Sequence, residues 1–597
     1  MSSKPASLSP PTLKSTLWIL DPWRDLALFV LAPLWIIPVM LWAKAHMDFN
    51  VYGAVALALV GVGHHLPGFI RVYTDPVLFR RYRTRFIAAP LFLFGIFVAL
   101  SLLHLHSLSI IVVLWGAWHG AMQVNGFLRI YDAKAGSFSP LTARLDWAMC
   151  LIWFGMGLLH SNSRVTSILL NAYNTGLPAV YPGAFSAFRL LWDILAVCVT
   201  LAFVVNAWRE TRAGRAPNPL KFLLMASSFG FFWFAMVIVS EPVFGLLLFE
   251  IFHDLQYNAL VWVYNRGRVD RGLGAGRLET FLFSPGAWRI FFYALLVLAY
   301  GTLGAVTGYS SVLVPDGVAS VLGNTSFWAS LFTVSAFLHF YFDGFIWQVR
   351  EKEIRQGLGI DWKKEGKRGE AVQARGLLGL VPTGWKWAFF VVPLALFGIL
   401  ELHGNVRPQL DQYRNLVSIL PESGRLHYLV ANLERLQRHY PEAIEEYSRS
   451  LALDPDFQPA HAEMGVVAAY VGLHEMALSH YLRAVELDTL DYKTREYLAA
   501  TLLRFDRVAE ALPHLLATAP QNTSDTNLIY LTGAALMHER RSEEAIPFLR
   551  QTLTLDPAQP RAWSYLGVAF HMRGDTASAA EYYRHALALD PQNAWRL

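Results

Sequence analysis

The chain has 597 residues, of which 54% are hydrophobic and 16% charged, and it carries a formal net charge of +5. Water-facing chains of this size carry about a quarter charged residues, so the composition excludes a protein whose whole surface meets water; the net charge, small for the length, says nothing about nucleic acid, which is not expected as a partner. Only two cysteines occur, Cys150 and Cys198, both in apolar stretches, which excludes a disulfide framework or a cysteine-based zinc site.

Residues 1–25 are polar and proline-rich and lack the basic-then-apolar pattern of a secretory signal, so they are expected to be a retained cytoplasmic segment. The apolar runs come next. A hydrocarbon core about 30 Å thick needs roughly 20 apolar residues per helix. Runs of that kind lie at 26–43, 51–72, 86–105, 108–131, 143–160, 187–208, 221–239, 243–264, 289–308, 327–348 and 386–402. They predict a polytopic helical membrane bundle of about eleven spans over 26–403. Basic residues crowd alternate loops: Arg71 to Arg85, Arg129 to Arg144, Arg209 to Lys221, Arg266 to Arg277, and Arg350 to Arg375. Positively charged loops stay inside during insertion, so this alternation predicts an inner (plasma) membrane protein with a cytoplasmic N-terminus. The last span would then exit outward through a linker at 404–421 into a periplasmic domain at 422–597.

In that last region Ala443, Ala477, Ala511, Ala545 and Ala579 recur every 34 residues, each followed four positions later by Tyr447, Tyr481, Leu515, Leu549 or Tyr583. The final unit adds Trp563, Leu566, Gly567, Phe570, Ala586 and Pro591. On these residues the region resembles the tetratricopeptide repeat family, which implies an α-solenoid of helix pairs with a concave face for a protein or peptide. The predicted class is thus all-α: a membrane bundle followed by a repeat solenoid.

Imidazole and carboxylate groups inside apolar helices mark function, because burying them costs several kcal/mol. His64 and His65 precede Arg71, His119 precedes Arg129, His253 precedes Arg266, and His339 precedes Arg350, which puts the histidines of four helices roughly 9 to 20 Å from the arginine-bearing ends, so that three of them can share one depth. These five are the candidate metal ligands, for a transition metal and iron in particular, since imidazoles converging from separate helices suit such an ion. Glu250 and Asp343, each on its histidine's own helical face, are the candidate catalytic carboxylates, as ligand, proton acceptor or orienting group. Three stretches read as loose copies: HHLPGFIRVYTD from His64, QVNGFLRIYD from Gln123 and HFYFDGFIWQVR from His339. His104, His106 and His160 receive no role, and Arg189 and Asp193 are expected to form a local ion pair.

The arrangement of histidines is similar, distantly, to that of membrane carotene-cleaving dioxygenases, with no motif reproduced residue by residue. Together these features point to a membrane-embedded metal-dependent oxidoreductase, an oxygenase, acting on a lipid-soluble substrate within the bilayer, with the repeats recruiting protein partners. Two alternatives stand beside it. One is a haem-binding, quinone-linked electron-transfer protein. The other is a cell-envelope assembly or lipid-linked glycan transfer protein whose repeats recruit enzymes.

Overall fold

A computed structural model of the chain describes residues 17–47, 51–53, 62–102, 107–137, 139–239, 241–273, 276–308, 325–347, 352–360, 392, 395–403 and 406–592. The described elements are all helical and fall into two compact units, Met1–Arg407 and Pro408–Leu597.

In the first unit the helices open where the sequence supplies a side-chain acceptor followed by proline. Asp21 caps α1 (Pro22–Asp25), Ser139 caps α6 (Pro140–Leu159) and Asn218 caps α9 (Pro219–Trp233), each with proline at the first helical position. A π-helical turn at Leu26–Val30 follows α1 and leads into α2 (Ala32–His46). Between them come α3 (His65–Thr74), α4 (Pro76–Leu102), α5 (Ser107–Lys134), α7 (Asn162–Asn174) and α8 (Pro182–Arg212). After α9 come a π-helical turn at Phe234–Ile238, α10 (Pro242–Asp270), α11 (Arg277–Phe283), α12 (Ala287–Gly308), α13 (Thr325–Ile346) and α14 (Lys352–Gly357). The largest core cluster is aromatic, with Phe29, Phe127, Phe154, Phe231 and Phe252 buried together between α5, α6, α9 and α10.

The eleven-span bundle needs correction. Among the described residues three helical stretches are long and apolar enough to cross a membrane: Pro76–Ala99, Pro182–Arg212 and Pro219–Ile238. Two further pairs, Pro22–Val30 with Ala32–His46 and Arg277–Phe283 with Ala287–Leu303, are bent by 54° and 114°, and counting each as one span gives five at most. Helices α5, α10 and α13 are as long, but they carry His119, Gln123 and Asn125, then Glu250, His253, Asp254 and Gln256, then His339 and Asp343. Their apolar runs therefore belong to polar-lined contacts between helices. The run at 386–402 lies largely outside the described residues, as does much of the basic stretch from Arg350 to Arg375.

The basic residues taken as loop-end anchors also behave differently. Lys221 is fully buried and donates to Asp132 at 2.8 Å and to Asp146 at 3.0 Å, with Arg129 bonded to both carboxylates. Arg268 is buried against Asp75 (2.9 Å) and Glu279 (3.1 Å). Charges consumed by internal pairs report packing, not the side of a membrane. The inner-membrane placement, the periplasmic repeats, and the bilayer and lipid-soluble substrate as partners all rested on eleven alternating spans and fall with them.

The second unit begins with α15 (Gln409–Ile419), a helix where a linker was expected, with Leu410, Leu416 and Ile419 buried. Five helix pairs follow: α16 (Gly424–Leu436) with α17 (Tyr440–Leu453), α18 (Gln458–Tyr470) with α19 (His474–Leu487), and α20 (Tyr492–Arg504) with α21 (Val508–Thr518). The last two are α22 (Thr526–His538) with α23 (Ser542–Leu555), and α24 (Pro560–Met572) with α25 (Thr576–Leu589). The periodic alanines are buried at the crossings. Across each pair a small residue faces a bulky one: a Cβ added to Gly465 would meet the Tyr481 ring at 2.6 Å, and one added to Gly567 would meet Tyr583 at 2.5 Å. Within each pair the connecting turn repeats too. Arg438, Gly472, Asp506, Arg540 and Gly574, 34 residues apart, all have positive φ, between 58° and 85°.

Candidate metal centre

Four helices bring one imidazole each to a common point. His64 stands at the N-terminal cap of α3, His119 is midway along α5, His253 lies on α10 and His339 on α13. One ligand atom from each of the four lies within 4.8 Å of the other three, and all four side chains are buried. The rings meet mostly edge to face, with centroids 4.6 Å apart for His64 and His339, 4.8 Å for His119 and His339, and 5.0 Å for His119 and His253.

Sparse side chains let the backbones approach. A Cβ on Gly120 would meet Phe249 at 2.6 Å, so α5 and α10 touch next to His119. A Cβ on Gly68, one turn after His64, would meet the Tyr257 hydroxyl at 2.8 Å and His339 Nδ1 at 3.6 Å. Gln123 donates to the His253 carbonyl at 2.7 Å, clasping the same two helices, and Gln256 donates to the Phe29 carbonyl at 2.8 Å in the π-helical turn.

Burial pushes His119, His253 and His339 well below the usual imidazole range, and neighbouring imidazoles push them further. They are neutral, which is the form that ligates a metal. His119 Nε2 and both ring nitrogens of His339 are buried without a hydrogen-bond partner among the described residues. Such nitrogens ordinarily find one. Four buried imidazoles whose ligand atoms converge, three of them held neutral by burial, fit a transition metal, so this cluster has the donors to coordinate an ion.

The fifth predicted ligand, His65, borders the cluster, with its ring 4.5 Å from that of His64, but is not one of the four whose ligand atoms converge. Its Nδ1 is 2.9 Å from Ser335 Oγ, which is 2.8 Å from the Tyr300 hydroxyl, and its ring stacks on His339 at 5.0 Å. Asp343 is beside the cluster, 3.6 Å from His339 Nε2, and accepts from Tyr257 and from Trp347, each at 3.0 Å. Burial pushes its carboxyl up to about 7 despite those donors. Glu250 is one turn from His253, pushed up to about 8 by burial and then by Asp254. Both carboxyls therefore hold protons more readily than exposed ones.

Asp254, absent from the sequence-derived candidates, is fully buried and lies 3.0 Å from His64 Nδ1. That is where a carboxylate orients a ligating imidazole and raises its basicity. Its position four residues after Glu250 and next to His253 was the available signal. The haem alternative needs correction as well: in place of paired axial imidazoles on facing helices, His64 and His119 each pack edge to face on both His253 and His339. His160 pairs with Asp193 at 2.8 Å, the partner expected of Arg189.

Comparison with known proteins concerns the second unit alone. A tetratricopeptide repeat family model matches residues 530–594, and the C-terminal region is a tetratricopeptide-like array. No curated protein matches the chain. Similar solved structures include YrrB, described as a TPR protein with an unusual peptide-binding site, at 20% identity and a TM-score of 0.29, covering 30% of this chain and 93% of that one. A MamA protein matches at 22% identity and TM-score 0.26, covering 30% and 97%. MamA from Desulfovibrio magneticus RS-1 matches at 20% and 0.25, covering 28% and 95%. Nothing in these matches ties the chain to carotene-cleaving dioxygenases.

Proposed function

We propose that the first unit is a buried transition-metal centre and that the repeat unit docks a protein or peptide segment. His64, His119, His253 and His339 are the ligands, and Asp254 orients His64. The observation that carries this is the convergence of four buried imidazoles, one from each of four helices, within 4.8 Å. The ion we propose is iron, which imidazole donors suit; His64, His119, His253 and His339 would hold it, with Asp343 next to His339 and Glu250 one turn from His253. Those two carboxyls are the proposed proton-holding groups of the centre. For the repeat unit, stacked helix pairs present a continuous groove, the usual surface of such arrays for an extended chain.

Elemental analysis of the purified full-length protein tests the centre. We expect near-stoichiometric iron and no haem absorption bands. His119→Ala, His253→Ala and His339→Ala should each lose the ion while the helical circular dichroism signal persists. Normal metal content in all three variants would sink the shared site, and stoichiometric zinc in place of iron would defeat the choice of ion.

A further inference from the structure

Seven residues after His64, and on the same stripe of α3 as His64 and Gly68, stands Arg71. At 1.5 Å per residue that places it about 10 Å along the helix from the cluster. Its guanidinium is buried, with 2% of the residue exposed, and packs against two rings, Tyr264 (4.3 Å to the ring centre) and Trp347 (4.1 Å), which meet each other edge to face at 5.1 Å. One nitrogen, Nη2, donates to the Tyr264 hydroxyl at 3.2 Å. Nε and Nη1 are buried with no acceptor among the described residues.

The nearby carboxylates are committed elsewhere. Asp75 is held by Arg268 and by the Val77 and Leu78 amides, Glu279 by Arg268 and the Gly276 amide, and Asp343 by Tyr257 and Trp347. Glu279 and Asp343 feel its charge but, among the described residues, neither accepts a hydrogen bond from its Nε or Nη1, and a buried guanidinium with two idle donors is costly unless a ligand completes it. The idle Nε and Nη1 donors belong to one planar fork, whose geometry matches the oxygens of a carboxylate or phosphate. Trp347 links the two sites directly, since it stacks on Arg71 and also donates to Asp343 beside His339.

We propose that Arg71 is an oxyanion-recognition residue, taking a carboxylate or phosphate oxygen of a small molecule that reaches the metal centre. This assignment of substrate class rests on the metal-centre proposal. The test is calorimetric titration of sodium acetate, and separately of inorganic phosphate, into the full-length protein in chloride buffer, with metal content measured on the same samples. We expect saturable uptake of one anion per chain, with acetate or phosphate preferred according to whether the natural group is a carboxylate or a phosphate. R71M should weaken that uptake at least tenfold without loss of metal, and R71K, which keeps the charge but not the planar fork, should fall between. Metal bound with neither anion taken up by the wild type, or an R71M protein that binds like wild type, overturns the proposal. Anion uptake that depends on Arg71 in a protein holding no metal supports the anion site while failing the metal centre alone. Should R71M not fold, R71K decides: unchanged acetate and phosphate binding there overturns the role of the fork.

Discussion

The two units use the same ionic residue types to opposite ends. In the first, Lys221 is wholly buried between Asp132 and Asp146, and Arg268 between Asp75 and Glu279, so that each cation ties its helix to at least one element far away in sequence. In the second, exposed pairs within one helix turn recur, as in Arg507 with Glu510 and Arg541 with Glu544, three residues apart, beside a few that join neighbouring helices, such as Arg414 with Glu434. Buried pairs of the first kind fix which helices meet, whereas exposed pairs of the second kind leave the fold to the buried alanine and tyrosine positions. A charge in this sequence therefore carries structural weight according to where it packs.

The sharpest way to break that comparison is Lys221→Met against Arg541→Ala. The first strands two buried carboxylates and should cost about 3–5 kcal/mol in a denaturant melt. The second should leave the melt unchanged. Equal effects would end the distinction. Next in size is Gly68→Ala, whose new Cβ would sit 2.8 Å from the Tyr257 hydroxyl. It should cost about 1–3 kcal/mol and lower metal occupancy, while Gly126→Ala, with nothing within 4 Å, should do neither.

In the repeat unit, Asp506→Gly should stabilise by up to about 1 kcal/mol, because Asp506 holds a φ of 58° at the turn that Gly472 and Gly574 occupy without strain. A smaller effect concerns pH. His480 Nδ1 lies 2.9 Å from His461 Nδ1, and burial, then His461, push His480 down to about 4. Its folded value is depressed below the ordinary imidazole value of 6.5, so the unfolded chain binds the extra proton as pH falls. Stability of the repeats should thus decline from about pH 6.5 toward pH 4, and His480→Phe should flatten the decline in hydrogen-exchange protection of the α18 and α19 amides. An unchanged profile would mean that His480 titrates normally.

The amino-acid sequence by itself determined the repeats. Ala443 through Ala579 and their Tyr or Leu partners specify the helix crossings because every contact that matters lies within one helix pair or its neighbour, and a 34-residue period writes such contacts directly into the chain. It also marked His64, His119, His253 and His339 by their shared placement on four apolar helices. Only the tertiary structure decided that these four meet while His65 turns to Ser335, that Asp254 lies 3.0 Å from His64, and that Arg71 has two donors without an acceptor among the described residues. It decided too that helices rich in Leu and Phe, such as α5 and α10, place His119, Gln123 and His253 in contact with one another, which reduced eleven expected spans to at most five among the described residues. The physical reason is range. Residues 64 to 339 come together through packing between helices distant in sequence, and hydrophobicity alone does not say whether an apolar run faces another helix or a different medium.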